Sequence, residues 1–353
     1  MVIPFNVLHC IMFMKFKIRF ILLLMVSICK GFLFFNSDED SIKEEIFRHG
    51  TISTYQDSLP AKEAYFVEID KNIYIKDYHK WVENFLIEVN GKLDYSIDEY
   101  ILAKANPGFV DSLKKSDYYY LKEKGIISYD PKEGLFLGKG TKVFIPDSMM
   151  VFSIKQDILQ TRLDINIPEF LCRVYQYKKV IDSFYIRIGK NEQKYLAMAG
   201  KVMNLKTRTG EGKIVRINKE PQFINPVDNK KYTGTKRDDG IVTQLPNIPW
   251  LETELDGVKY GQMIHPTTNK STIGKAASNG CIGLRESDMW ALYFYAPVNT
   301  PVRIRYDLKG IDSLGNTIYF KDIYSWKWRK PNKKESAGGE SVLFNHLCYC
   351  GKD

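Results

Sequence analysis

Between Leu163 and Ile188 the chain alternates apolar and polar residues with a period of two, interrupted only by turn residues. Leu163-Asp-Ile165-Asn-Ile167 alternates, Pro168-Glu169 turns, and Phe170 to Tyr175 continues. A charged turn at Lys178-Lys179 leads into Val180 to Ile188, which ends at Gly189. This period places successive side chains on opposite faces of a strand and does not fit an amphipathic helix. Runs of this length, recurring every roughly 8–12 residues, belong to a sandwich or barrel rather than to a parallel sheet with crossover helices. Val302 to Tyr306 reads as a further strand. Between them, Ser287-Asp288 opens a short helix over Met289 to Tyr295, which Pro297 ends. Residues 156–308 are therefore expected to form a mainly β domain, a sandwich or barrel with a short helix after a cysteine-bearing loop.

Upstream the pattern differs, and residues 63–155 read as a small α/β domain. Trp81-Val-Glu-Asn-Phe85-Leu86 carries apolar residues at helical spacing, and Ser96 followed by Glu99 has the form of a capping box. The helix it opens should stop near Asn106-Pro107-Gly108. Gly138 to Pro146 reads as a turn and a short strand. The helix ending in Ala-Asn-Pro-Gly and this later strand resemble the second half of a LysM glycan-binding module, although the stretch between them is much longer than in that module. A cap that only packs on the following domain fits these residues equally well.

The first 35 residues read as a targeting segment. Lys15, Lys17 and Arg19 precede the apolar run Phe20 to Ile28. Nine helical residues rise only ~13 Å against ~30 Å of hydrocarbon, so that run is a signal peptide or signal-anchor core rather than a full span. Cys29 ends the run; Ile28 before it is a poor neighbour for lipid attachment. Residues 36–62 are polar and charged and read as a linker, and 309–353 as a lysine-rich C-terminal extension. The expectation is export to the periplasm or cell envelope, with membrane proximity through the N-terminal segment.

With 51 Lys and Arg against 42 Asp and Glu, the net charge is +9, spread along the whole chain. No nucleic-acid motif or long basic run occurs, so nucleic acid is not an expected partner. No P-loop or dinucleotide fingerprint occurs. Six cysteines are too few for a disulfide scaffold of this length. Cys348-Tyr-Cys350 with His346 lacks zinc-finger spacing, so no metal is assigned.

Of five histidines, only His265 falls in the strand-rich region, and Cys281 follows it by sixteen residues within Ser278-Asn279-Gly280-Cys281. A thiol is a good nucleophile as thiolate, and an imidazole can take its proton. Gly280 permits a backbone that turns N–H groups toward a developing oxyanion. An isolated cysteine is ordinarily a small core residue, the reading adopted for Cys172 in its alternating strand. Gly210 and Gly212 read as a turn between strands.

The segment Ile264-His265-Pro-Thr-Thr-Asn-Lys-Ser-Thr-Ile-Gly274-Lys-Ala-Ala-Ser-Asn-Gly-Cys281-Ile-Gly-Leu284 closely resembles the active-site segment of the L,D-transpeptidases, the YkuD-like catalytic domain. Thr207-Arg-Thr209-Gly210 resembles a second motif of that family, and the strands from Leu163 to Gly189 its opening hairpin. The resemblance spans about residues 160–308. Asn279 stands where the family usually has a second His. Gly283 stands where an Arg is common, with Arg285 two residues further on. Pro266 follows the His, so only a carbonyl of that peptide unit can orient the imidazole.

The resemblance implies a transpeptidase that joins peptidoglycan stem peptides by 3→3 cross-links through a cysteine acyl-enzyme. On this sequence it makes Cys281 the nucleophile and His265 the general base, then acid. Gly280 and Cys281 N–H groups line the oxyanion hole, Ser278 and Asn279 shape the site, and Arg285 is a candidate substrate contact. It implies no cofactor or metal, and acylation by carbapenem β-lactams. Residues 225–262 form a Gly- and Pro-punctuated insert, read as either a lid or a packed surface loop. Two alternatives stay open: an L,D-carboxypeptidase on the same site, or a non-catalytic wall-binding protein.

Overall fold

The structure, a computed structural model, describes residues 63–196, 200–224, 230–312 and 314–325. The targeting segment, the linker, Cys29 and the Cys348/Cys350 pair lie outside the described residues.

The chain enters through β1 (Tyr65–Glu68) and β2 (Ile73–Tyr74), followed by helices α1 (Tyr78–Asn90), α2 (Glu99–Ala105), α3 (Gly108–Leu113) and α4 (Tyr118–Glu123). Strands β3 (Leu135–Leu137) and β4 (Lys142–Ile145) return to pair antiparallel with β2 and β1 respectively. These are the mixed α and β elements expected from the sequence, with one cap corrected and one helix added. Asp98, not Ser96, caps α2, its carboxylate accepting the Ile101 N–H at 2.8 Å. A twelve-residue helix α5 (Ser148–Leu159), unexpected from the sequence, links the segment to the β domain. Its signals are the Asp147 cap on the Met150 N–H and apolar Val151, Ile154 and Ile158 at helical spacing.

The β domain is built on an eight-stranded sheet. Its opening hairpins are β5 (Thr161–Asn166), β6 (Leu171–Gln176) and β7 (Lys179–Tyr185), and the short β8 (Ile188–Gly189) follows. A hairpin of β9 (Gln193–Leu196) and β10 (Lys201–Asn204) precedes the long β11 (Gly210–Asn218). Another hairpin, β12 (Gly234–Lys236) and β13 (Val242–Gln244), lies in the insert before β14 (Trp250–Leu255) and β15 (Met263–Pro266). Strands β16 (Ala276–Ser278) and β17 (Ile282–Leu284) bracket Cys281. Helix α6 (Glu286–Tyr295) leads to β18 (Pro301–Arg305), and β19 (Lys309–Ile311) and β20 (Thr317–Tyr319) close the described chain.

The spatial order is β17-β15-β14-β11-β18-β5-β6-β7. After β7, at one edge, the chain crosses so that Arg187 and Gly283 of β17, at the other edge, exchange backbone hydrogen bonds of 2.8 and 3.0 Å. The sheet thereby nearly closes on itself, which removes the unpaired edge that an open sheet would present.

Gly210 and Gly212 are part of β11, not a turn. A Cβ at Gly212 would stand 1.8 Å from the Glu254 carbonyl oxygen of β14, so the close approach of two strands, rather than a reversal of the chain, requires glycine there. Helix α6 begins at Glu286, earlier than the sequence suggests, and ends at Tyr295 before Pro297. It is buried on nearly all sides. Trp290 meets Tyr78 of α1 edge-on at 5.8 Å and donates its indole N–H to Ser116 Oγ at 2.8 Å. The Ser287 N–H donates to Asp117 at 3.0 Å. The helical segment is thus packed against the helix that follows the cysteine strand.

Candidate active site

His265 and Cys281 lie on neighbouring strands. Parallel β15 and β17 pair Ile264 with Ile282, His265 with Gly283, and Pro266 with Leu284. Paired residues share a face and faces alternate along each strand. Ile264 and Ile282, fully buried, therefore face the core, whereas His265 and Gly283 share the other face. Cys281, two residues before Gly283, falls on the His265 side. A short strand, rather than the helix directly, follows the cysteine.

His265 is buried, and its Nδ1 lies 2.8 Å from the carbonyl oxygen of Pro266. A carbonyl can only accept, so this bond fixes the proton on Nδ1 and makes Nε2 the basic nitrogen of the neutral ring. The orienting group is the carbonyl that the proline left available. On the flank of the imidazole, the Trp250 indole packs at 5.5 Å. Phe223 packs edge-on against that indole, also at 5.5 Å. Cys281 is half-buried, whereas Cys172 is fully buried in β6, where burial pushes its thiol far up. Of the two described cysteines, only Cys281 is accessible to a reagent.

The turn before Cys281 is held from within and from below. Gly280 has φ +114°, a conformation that side-chain-bearing residues rarely adopt. Its N–H donates to Ser278 Oγ at 3.2 Å, and the Ser278 hydroxyl donates to the Cys281 carbonyl. The Gly280 N–H expected in the oxyanion hole is thus engaged inside the turn, and Ser278 acts as the brace of that turn. Asn279 is half-buried at its outer corner.

From below, Thr207 Oγ accepts the Gly189 N–H at 2.8 Å and donates to the Gly280 carbonyl at 3.0 Å. The Thr207 N–H donates to Tyr324 Oη at 3.1 Å, and that phenol donates to the Gly189 carbonyl at 2.7 Å. Burial pushes the Tyr324 phenol up to about 12, so it remains a donor at neutral pH.

Arg285 is placed elsewhere. Its guanidinium pairs with Glu123 of α4 at 3.0 Å and lies 4.0 Å from Asp117. It holds the helical segment to the start of α6, which is a structural role in place of the substrate contact expected from sequence.

Part of the insert is fastened rather than loose. The Arg237 and Glu286 side chains, 0% and 1% exposed, form a 2.8 Å ion pair, and Arg237 Nε donates to Thr243 Oγ at 2.7 Å. Asp239 accepts from Tyr118 at 2.9 Å and from Lys122 at 2.5 Å. The hairpin β12–β13 is therefore docked on α4 and α6. Among the described residues, no cluster of three or more His, Cys, Asp or Glu could hold a metal.

Residues 160–304 match the family model of the YkuD L,D-transpeptidase catalytic domain. The chain is 25% identical over 166 residues to a Bacillus licheniformis protein carrying the L,D-transpeptidase name YkuD, covering 47% of this chain and 78% of that one. It is 27% identical over 175 residues to the Escherichia coli protein named for the L,D-transpeptidase ErfK/SrfK, covering 47% and 52%. Among solved structures, it is similar to an L,D-transpeptidase from Xylanimonas cellulosilytica at 12% identity, covering 70% of this chain and 99% of that one with a TM-score of 0.30.

Three residues around this site carry no signal in the sequence alone. Trp250 was visible only as an insert residue. Tyr324 lies beyond the family match, so no motif pointed to it. Arg187 sat within an alternating strand, and its relation to Gly283 exists only once the sheet closes.

Proposed function

We propose that the protein is a peptidoglycan L,D-transpeptidase that forms 3→3 cross-links through a Cys281 acyl-enzyme. The observation that carries this is the His265 geometry: an imidazole with its Nδ1 proton committed to a carbonyl, on the strand beside Cys281 and on the same face. His265 Nε2 takes the Cys281 proton, and the thiolate attacks the carbonyl of the third stem residue. The C–N bond to the terminal D-residue breaks, with His265 returning the proton to the leaving amine. The amine of a neighbouring stem then attacks the thioester, and the thiol is regenerated. Resolution by water gives the carboxypeptidase outcome on the same site.

The basic cluster Lys15 to Arg19 and the apolar run after it support action outside the cytoplasm, at the periplasmic or envelope face. A carbapenem is the simplest probe. Its mass should add to the wild type and not to Cys281→Ala, and His265→Ala should slow acylation by about 10²–10⁴-fold. A folded wild type that takes no adduct would leave the wall-binding alternative. With stem peptides as substrate, the ratio of cross-linked to hydrolysed product separates transpeptidase from carboxypeptidase.

A further inference from the structure

The strand pairings that build the site also lay out a row of side-chain positions across four strands. In β14 and β15, Leu251 pairs with Ile264, which sets Trp250 opposite His265. His265 pairs with Gly283, and Gly283 pairs with Arg187. Opposed residues share a face, so Trp250, His265, Gly283 and Arg187 stand in line on one side of the sheet.

The glycine in this row is filled by its neighbour. A Cβ at Gly283 would stand 2.5 Å from Arg187 Nε, 2.7 Å from its Cγ and 3.0 Å from its Cδ. The Arg187 side chain therefore lies over Gly283, on the face that carries His265 and Cys281. Only the missing side chain lets it do so. Among the described residues, Arg187 Nε is buried without a hydrogen-bond partner, and no described carboxylate pairs with this guanidinium. By contrast, Arg173, Arg237, Arg285 and Arg305 each pair with a carboxylate. A cation with a buried donor left unmatched is costly unless a ligand supplies the acceptor.

We propose that Arg187 is the residue that binds the carboxylate of the acyl donor beside the scissile bond, reaching the site across Gly283. The assignment rests on the acyl-transfer reading above: a donor stem that loses its terminal residue carries a free carboxylate one residue beyond the attacked carbonyl. A guanidinium offers planar, paired N–H donors that match a carboxylate, and the bond is charge-assisted. It selects donors with an unblocked terminus and sets the attacked carbonyl against Cys281.

The test compares acylation of the full chain by a carbapenem and by its methyl ester, followed by mass spectrometry. The ratio of the two rates cancels any change in thiol reactivity. In wild type the free acid should react about 10- to 100-fold faster, the range for a charged hydrogen bond. Arg187→Met keeps the aliphatic cover over Gly283 and should bring the ratio close to one. Arg187→Lys should restore part of it. Gly283→Ala, which displaces the arginine without removing it, should lower the ratio as well. A wild-type ratio that persists in Arg187→Met overturns the assignment of Arg187 alone. Equal loss with acid and ester in that variant also overturns it, since this is the mark of a merely structural residue. No adduct from either compound on the wild type overturns the acyl-transfer reading itself.

Discussion

Thr207→Val tests whether the polar network beneath the turn before Cys281 holds it in place. Valine keeps the shape and branching of threonine and removes one hydroxyl. That hydroxyl accepts from Gly189 and donates to Gly280, and Thr207 is fully buried. The Gly189 N–H is buried too, so it loses its acceptor with no water to replace it. Such an orphaned donor costs about 1–3 kcal/mol; the Gly280 carbonyl, half-buried, loses less, and the sum is about 2–3 kcal/mol. Tyr324→Phe removes the other half of the bracket, orphaning the Thr207 N–H. Because both variants act on the Gly189–Thr207 pair, their effects should fail to add by about 0.5 kcal/mol or more. Gly280 is the residue before Cys281, so a loosened turn should also slow acylation, by about tenfold or more, since misplacement by an ångström can cost 10²-fold. Urea unfolding gives the stability term, and carbapenem acylation followed by mass spectrometry gives the rate. A Thr207→Val protein within 0.5 kcal/mol of wild type and acylated at the wild-type rate would refute the reasoning.

Further consequences can be checked by the same methods. Truncating either Arg237 or Glu286 to Ala should cost about 3–5 kcal/mol by leaving a buried charge alone, whereas the Arg237→Met/Glu286→Leu pair should cost much less; urea midpoints decide. Gly212→Ala should destabilise by about 3 kcal/mol or more, because its Cβ meets backbone rather than a movable side chain. Burial pushes the Asp288 carboxyl up to about 6, against the opposing charge of Arg285. A folded-state value above the unfolded one favours the folded state only while the group is protonated, so its contribution is lost as pH rises from about 4 through 6. Asp288→Asn should thus gain on wild type by up to about 3 kcal/mol between pH 4 and 7.5, and melting curves across that range would show no divergence if the carboxyl titrates normally.

The sequence by itself determined the β hairpins from Thr161 to Tyr185, because alternation fixes which face each residue takes. It also singled out His265 and Cys281, since their chemistry and spacing are properties of residues rather than of packing. It misplaced what depends on neighbours far along the chain. Gly212 looked like a turn because the Glu254 carbonyl that excludes a side chain comes from β14. Arg285 looked available because Glu123, its partner, lies 162 residues away. Only closure of the sheet brought Arg187 over Gly283, and only the return of the chain past residue 304 set Tyr324 beneath Thr207. Local pattern decides faces and turns, whereas which charges meet and which gaps are filled depends on contacts that no short window of sequence contains.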